Sequence, residues 1–178
     1  MGKITLTIEP EIEIRFKVKE TGKVLNASDD NKTLADGVYG LINGELKLHT
    51  DIKDEDLDSV EYIVVKKGYT CVKMSRKEIE GEYSYDEAQE KAAELGAGWR
   101  CFTRHEWIDI YDMRFSGLDD FRERLGMSSI DGWYWTCEHD ADPQYSASNA
   151  WFLYLNGFVN VNNKRSGYRV CAVSAFQF

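Results

Sequence analysis

The first third of the chain alternates apolar and polar positions with a period of two. Ile4, Leu6 and Ile8 alternate with Thr5 and Thr7, and Ile12, Ile14, Phe16 and Val18 alternate with Glu13, Arg15 and Lys17. A period of two is the signature of half-buried strands. Turn-forming residues cluster from Asn26 to Asp30 and at Asn43-Gly44. The acidic stretch from Asp51 to Asp58 reads as a linker or loop. Residues 1–58 are therefore expected to form a β-rich N-terminal module or extension, and residues 59–178 a second domain. Val60 to Val65 and Tyr69 to Met74 flank Lys66-Lys67-Gly68 and predict a hairpin.

The period then changes to that of a helix. Ser84 and Glu87 have capping-box spacing, Ala88, Ala92 and Leu95 recur on one face, and Gly96 supplies a stop. A short apolar stretch, Trp99 to Phe102, predicts a strand. Thr103 and Glu106 repeat the capping-box spacing before Trp107, Ile110 and Tyr111, and this helix is expected to end near Gly117. Leu118, Phe121 and Leu125 predict a further short helix stopped by Gly126. Strand patterns return at Trp133 to Cys137, Ala150 to Leu155, Phe158 to Val161 and Tyr168 to Val173, with a polar loop at 138–149. The fold class expected is α+β, with two main helices and short antiparallel strands.

The hairpin around Asn156-Gly157 admits two registers. A two-residue turn would mix both faces. A three-residue loop, Asn156-Gly157-Phe158, pairs Leu155 with Val159 and sorts the side chains: Trp151, Leu153, Leu155, Val159 and Val161 on one face, Phe152, Tyr154, Asn160 and Asn162 on the other. A slip of one residue flips a whole strand, so burial selects the register, and the three-residue loop is expected with Gly157 at positive φ. The second face continues into Asn163, Arg165 and Tyr168. Aromatic rings interleaved with asparagines suit a binding surface, because rings give contact area at low entropic cost and amides give adaptable hydrogen bonds.

Several segments resemble one family. Gly98-Trp99-Arg100-Cys101-Phe102-Thr103-Arg104-His105-Glu106-Trp107 resembles the WRLPT-x-x-EW segment of C-type-lectin-like domains, as found in the formylglycine-generating-enzyme group and the Fibrobacter-type major paralogous domains. Trp133-Tyr134-Trp135-Thr136 is similar to their YWT/S strand, and Ala150-Trp151-Phe152 through Tyr168-Arg169-Val170 to their AW…NG-x-V…YRV ending. The resemblance is nearest to the variable proteins of diversity-generating retroelements, phage receptor-binding proteins among them. It covers roughly residues 80–175. It departs from the family at Cys101-Phe102, where Leu-Pro is usual, and at Cys171, where Arg is common. The resemblance implies a C-type-lectin-like fold and ligand contact through Phe152, Tyr154, Asn156, Phe158, Asn160, Asn162, Asn163, Arg165, Ser166 and Tyr168. It places Trp133, Trp135, Trp151, Leu153, Val159 and Val170 in the framework. The implied ligand is a protein or a glycan.

Charge narrows the classes. A net charge of −9 and a pI near 4.9 disfavour nucleic acid, whose affinity comes from Lys and Arg. No apolar run approaches the roughly 20 residues that cross a bilayer, so membrane insertion is not expected. Met1-Gly2-Lys3-Ile4 does not open a signal peptide, and a cytoplasmic or virion-associated location is expected. Cys71, Cys101, Cys137 and Cys171 form no CxxC pair and read as free thiols. No catalytic residue, metal ligand or cofactor is assigned. Glu138, His139, Asp140 and Asp142 crowd one loop, and Asp142-Pro143-Gln144 resembles the triplet of sugar-binding C-type lectins, but the WND partner is missing. Two alternatives accompany recognition. Gly167-Tyr168-Arg169-Val170-Cys171 resembles the ending of formylglycine-generating enzymes, which implies oxidation of a substrate cysteine by paired thiols. A structural virion or assembly protein is the other, with homo-oligomer contacts expected through the N-terminal strands.

Overall fold

Asn43 and Gly44 both lie at positive φ (51° and 79°), the conformation a two-residue hairpin turn demands. They join β1 (Gly37–Ile42) to β2 (Glu45–Leu48). β1 pairs on its other side with β3 (Val60–Lys67), which pairs with β4 (Thr70–Ser75). The computed structural model describes residues 34–139, 142–154 and 158–177. The strands expected at Ile4–Ile8 and Ile12–Val18, and the turn at Asn26–Asp30, lie outside the described residues.

The remaining elements are β5 (Ile79–Tyr83), α1 (Tyr85–Ala93), β6 (Arg100–Cys101), α2 (Arg104–Met113), α3 (Asp119–Arg124), β7 (Trp133–His139), β8 (Asn149–Tyr154), β9 (Val159–Asn163), β10 (Tyr168–Val170) and β11 (Ala172–Ala175). They form a mixed α+β fold of two sheets, in the orders β2-β1-β3-β4-β11-β6 and β5-β10-β7-β8-β9. All pairings are antiparallel except β10 with β7, which meet at Arg169 and Tyr134.

Two apolar clusters result. One lies beneath the first sheet, where Ile63, Val65 and Met74 meet Trp107 and Ile110 of α2, Phe121 of α3, and Tyr134 and Leu153 of the second sheet. The other lies beneath α1, whose Tyr85, Ala88 and Ala92 cover Trp135, Ala150, Phe152 and Val170. Both expected capping boxes form. Ser84 and Glu87 close α1, and Thr103 and Glu106 close α2, each satisfying two orphan N–H groups.

Two expectations, for the 51–58 segment and for Tyr168 to Val173, need correction. β1, in the segment read as an extension, hydrogen-bonds to β3, so these strands share one sheet. The acidic 51–58 segment is not a linker: Ile52 is buried, and Arg124 donates to the carbonyls of His49 (3.0 Å) and Ile52 (2.5 Å) and pairs with Asp54. The further short helix expected at Leu118–Leu125 is α3, joined to α2 by a π-type turn, Arg114–Leu118. There Gly117 has φ 109°, and a Cβ on it would fall 2.4 Å from the His49 ring, so only glycine fits. Finally, Tyr168 to Val173 is two strands. The chain leaves the second sheet after Val170 and joins the first at Ala172, with Cys171 between them.

Candidate functional site

The β8–β9 hairpin sets the geometry of the second sheet's free end. Leu153 pairs with Val159, Phe152 with Asn160, Trp151 with Val161 and Ala150 with Asn162. The Tyr154 N–H donates to the Phe158 carbonyl at 2.9 Å. The connection is thus 155–157, not 156–158 as expected, and the pairing of Leu155 with Val159 is replaced by that of Leu153 with Val159. A shift of two residues keeps every side chain on its face, so the expected segregation holds although the register does not. Leu155, Asn156 and Gly157, and the positive φ expected at Gly157, lie outside the described residues.

On the face bearing Phe152 and Tyr154, five rings form a continuous ladder. Trp135 is within 4.7 Å of Tyr168, Tyr168 stacks on Phe152 at 4.7 Å, Phe152 lies 5.1 Å from Trp133, and Trp133 lies 4.2 Å from Tyr154. Burial differs from ring to ring. Trp135 is 0% exposed beneath α1 and Phe152 5%, while Tyr154 and Tyr168 are half-buried. Trp133 is 40% exposed, and Phe158, across the hairpin from Tyr154, 51%. Two residue roles therefore change. Phe152, expected as a ligand-facing ring, is core. Trp133, expected as framework, is an exposed ring. Its signal was in the sequence: β7 pairs Trp133 with Tyr154 and Trp135 with Phe152, so alternation puts both tryptophans on the ladder face. On the opposite face, Leu153 is fully buried and the Arg104 guanidinium lies 4.3 Å over the Trp151 ring.

The asparagines have a second use. β9 is an edge strand, and its odd-numbered residues turn their N–H groups away from β8. The Val161 N–H donates to the Asn160 Oδ1 (2.8 Å), the Asn163 N–H to the Asn162 Oδ1 (2.7 Å), and the Arg165 N–H to the Asn163 Oδ1 (3.0 Å). These amides cover the free edge that would otherwise template pairing with another strand. They also fix the orientation of the side chains. Asn162 Nδ2 donates to the Tyr168 hydroxyl at 2.5 Å, which ties the edge to the ladder. Ser166 bonds through its N–H to the Asn163 carbonyl. Arg165 is exposed. In Asn160→Ala and Asn162→Ala variants, the Val161 and Asn163 amides should exchange hydrogen roughly 2–10-fold faster, the equivalent of about 0.5–1.4 kcal/mol for one hydrogen bond. Unchanged exchange by NMR would show that the amides do not cover the edge.

The described acidic side chains of the polar loop bond within the protein. Glu138 accepts from the Arg104 N–H (2.7 Å) and Nε (3.1 Å), and Asp142 Oδ1 accepts from the Gln144 N–H; Asp140 lies outside the described residues. Among the described residues no group of three or more His, Cys, Asp or Glu is placed to hold a metal ion. The four cysteines are free thiols. Burial pushes the Cys171 thiol up to about 11 and Cys101 to about 12, so both stay protonated near neutral pH and are poor nucleophiles. His105 and His49 take no part in the ladder.

No protein-family model matches the chain, and no curated protein matches it.

Proposed function

We propose that this domain is a recognition module of the C-type-lectin-like kind, related to the variable proteins of diversity-generating retroelements, and that it binds a protein or glycan ligand on the outer end of the ring ladder. The observation that carries this reading is an exposed ring, Trp133, held by a stack of buried and half-buried rings on one sheet face. Trp135 and Phe152 anchor the ladder in the core, the same stack holds the exposed Trp133 and the half-buried Tyr154, and Phe158 is exposed across the hairpin from Tyr154. Rings held this way are pre-organised, so little entropy is lost when a ligand covers them. Asn160, Asn162, Asn163, Arg165 and Ser166 supply the polar border, and the connection bearing Asn156 joins the two strands that carry it. A phage receptor-binding role and a structural virion role both fit this surface.

An oxidase acting through paired thiols is disfavoured by the raised pKa of the half-buried Cys171 thiol, which keeps it protonated. The test is an array of purified surface proteins and glycans, probed with the wild type and with a Tyr154→Ser/Phe158→Ser variant. Central aromatic anchors are each worth about 2 kcal/mol or more, so the double variant should lose its bound partners, by roughly 30-fold or more per anchor. Its circular dichroism should match the wild type. Retained binding, or no binding by the wild type, would reject the reading.

A further inference from the structure

Side chains alternate along a strand, so the neighbours of the ladder rings point the other way. Tyr134 and Arg169, one residue from Trp133 and Tyr168, line a cleft of about 260 Å³ between β5, β10 and the segment after α3. Its inner wall is apolar: Ile130 and Val170 are buried, and Ile79 is half-buried beside them. Its charged lining residues are Lys77, Arg122 and Arg169 against Glu78 and Glu80, and Asp131 pairs with Arg169 from outside the lining, so the charges balance.

These charges are not equally committed. Glu78 is fully engaged, accepting from Arg122 Nη2 (2.8 Å), the Ser128 N–H (2.8 Å) and the Ser128 hydroxyl (3.2 Å). Arg122 also donates through Nε to the Ser128 carbonyl. The buried Arg122 and the more open Glu78 thus fix one wall. Arg169 uses only Nη1 on Asp131, bonding both its carbonyl and its carboxylate, and the guanidinium lies beside the Tyr134 hydroxyl. Burial pushes that hydroxyl up to about 12, opposed by Arg169, so it remains a donor across the physiological range. Among the described residues Lys77 pairs with no carboxylate and Glu80 with no cationic side chain, so Glu80 adds one negative charge to the lining.

We propose that this cleft binds a small aliphatic monocarboxylate, its carboxylate held by Arg169 and the Tyr134 hydroxyl and its hydrocarbon part lying against Ile79, Ile130 and Val170. Size excludes an oligosaccharide or a nucleotide, since drug-sized ligands occupy roughly 300–1,000 Å³. Glu80 disfavours a second negative charge, and the apolar wall disfavours an inorganic anion. This site lies on the face of the sheet opposite the ladder and does not depend on the recognition reading.

Isovalerate is a suitable probe, with isoamyl alcohol, succinate and inorganic phosphate as comparators, in thermal melts and in amide shift mapping of Gly81, Ser128 and Gly132. At a hundredfold excess over Kd, isovalerate should raise Tm by roughly 5–10 °C and move those amides. The alcohol should do neither. Arg169→Gln, at a half-exposed position, and Tyr134→Phe, which keeps the ring packed against Phe102 and Trp107, should each weaken binding at least tenfold. Trp133→Ala should leave it unchanged. No response to isovalerate, an equal response to the alcohol, phosphate or succinate, or wild-type affinity in both variants would overturn the proposal.

Discussion

Replacing Trp135 with alanine is expected to cost about 3–5 kcal/mol, a large share of the roughly 5–15 kcal/mol that holds a domain folded. The ring is fully buried and touches three others: Tyr85 edge-on at 5.6 Å, Phe152 edge-on at 6.4 Å and Tyr168 at 4.7 Å. Its Nε1 donates to the Tyr83 carbonyl at 2.8 Å. The alanine variant loses the apolar contacts, leaves a cavity beneath α1 that the sheet cannot close, and deprives a β5 carbonyl of its donor. Trp133→Ala, two residues away on the same face, removes a ring of the same size from a site 40% open to solvent, and about 1–2 kcal/mol is expected because less area leaves water. Urea unfolding of the two variants checks this difference directly. Equal losses, or a larger loss at Trp133, would mean that the ladder is not anchored at Trp135, and with it the case for a pre-organised rim would go.

That difference in burial was half legible in the sequence. The alternation of Phe152 and Tyr154 with Trp151 and Leu153 determines which residues share a face, and parity survives a register error of two. Depth along the face is a different quantity. It depends on where α1 lies, and nothing near residue 152 records that Ala88 and Ala92, some sixty residues earlier, cover it. The helices were legible because their signals are local: Ser84 with Glu87 and Thr103 with Glu106 each close a first turn by themselves. β5 was not, because Ile79-Glu80-Gly81-Glu82-Tyr83 is acidic, contains glycine and sits at a sheet edge where only β10 holds it.

The two remaining errors have the same origin. Asp51 to Asp58 looks like a solvated linker because its charges dominate its composition, yet Ile52 alone anchors it in the core and Arg124, over seventy residues away, holds its carbonyls. At Cys171 the chain changes hydrogen-bonding partners without changing direction, so no turn residue marks the passage from one sheet to the other. Long-range pairing made both features, and a period of two cannot encode it.

Glu106 should make the domain acid-sensitive. Arg100 grips its carboxylate with two bonds, Nη1 to Oε2 at 2.7 Å and Nη2 to Oε1 at 2.6 Å, and the Thr103 N–H adds a third at 2.7 Å. Burial alone would raise the Glu106 pKa, but these bonds outweigh it and hold the group below its ordinary value. The folded form therefore releases this proton more readily than the unfolded chain. Its contribution to stability is fully present above the unfolded pKa, near 4.3, and is lost as the pH falls through the lower folded value. Arg100 is one-third exposed, so the pair is worth less than a fully buried one. Glu106→Gln should cost about 1–3 kcal/mol at pH 7, the range for hydrogen bonds to charged groups, because it replaces a fork of charge-assisted bonds with neutral ones and weakens the α2 cap that aims Trp107 into the core. The gap between wild type and variant should narrow steadily below about pH 4.3 as the wild-type carboxyl takes up its proton. Denaturant titrations of both proteins across that range measure it, and a gap that stays constant with pH would place the stabilisation in packing rather than in the charge of Glu106.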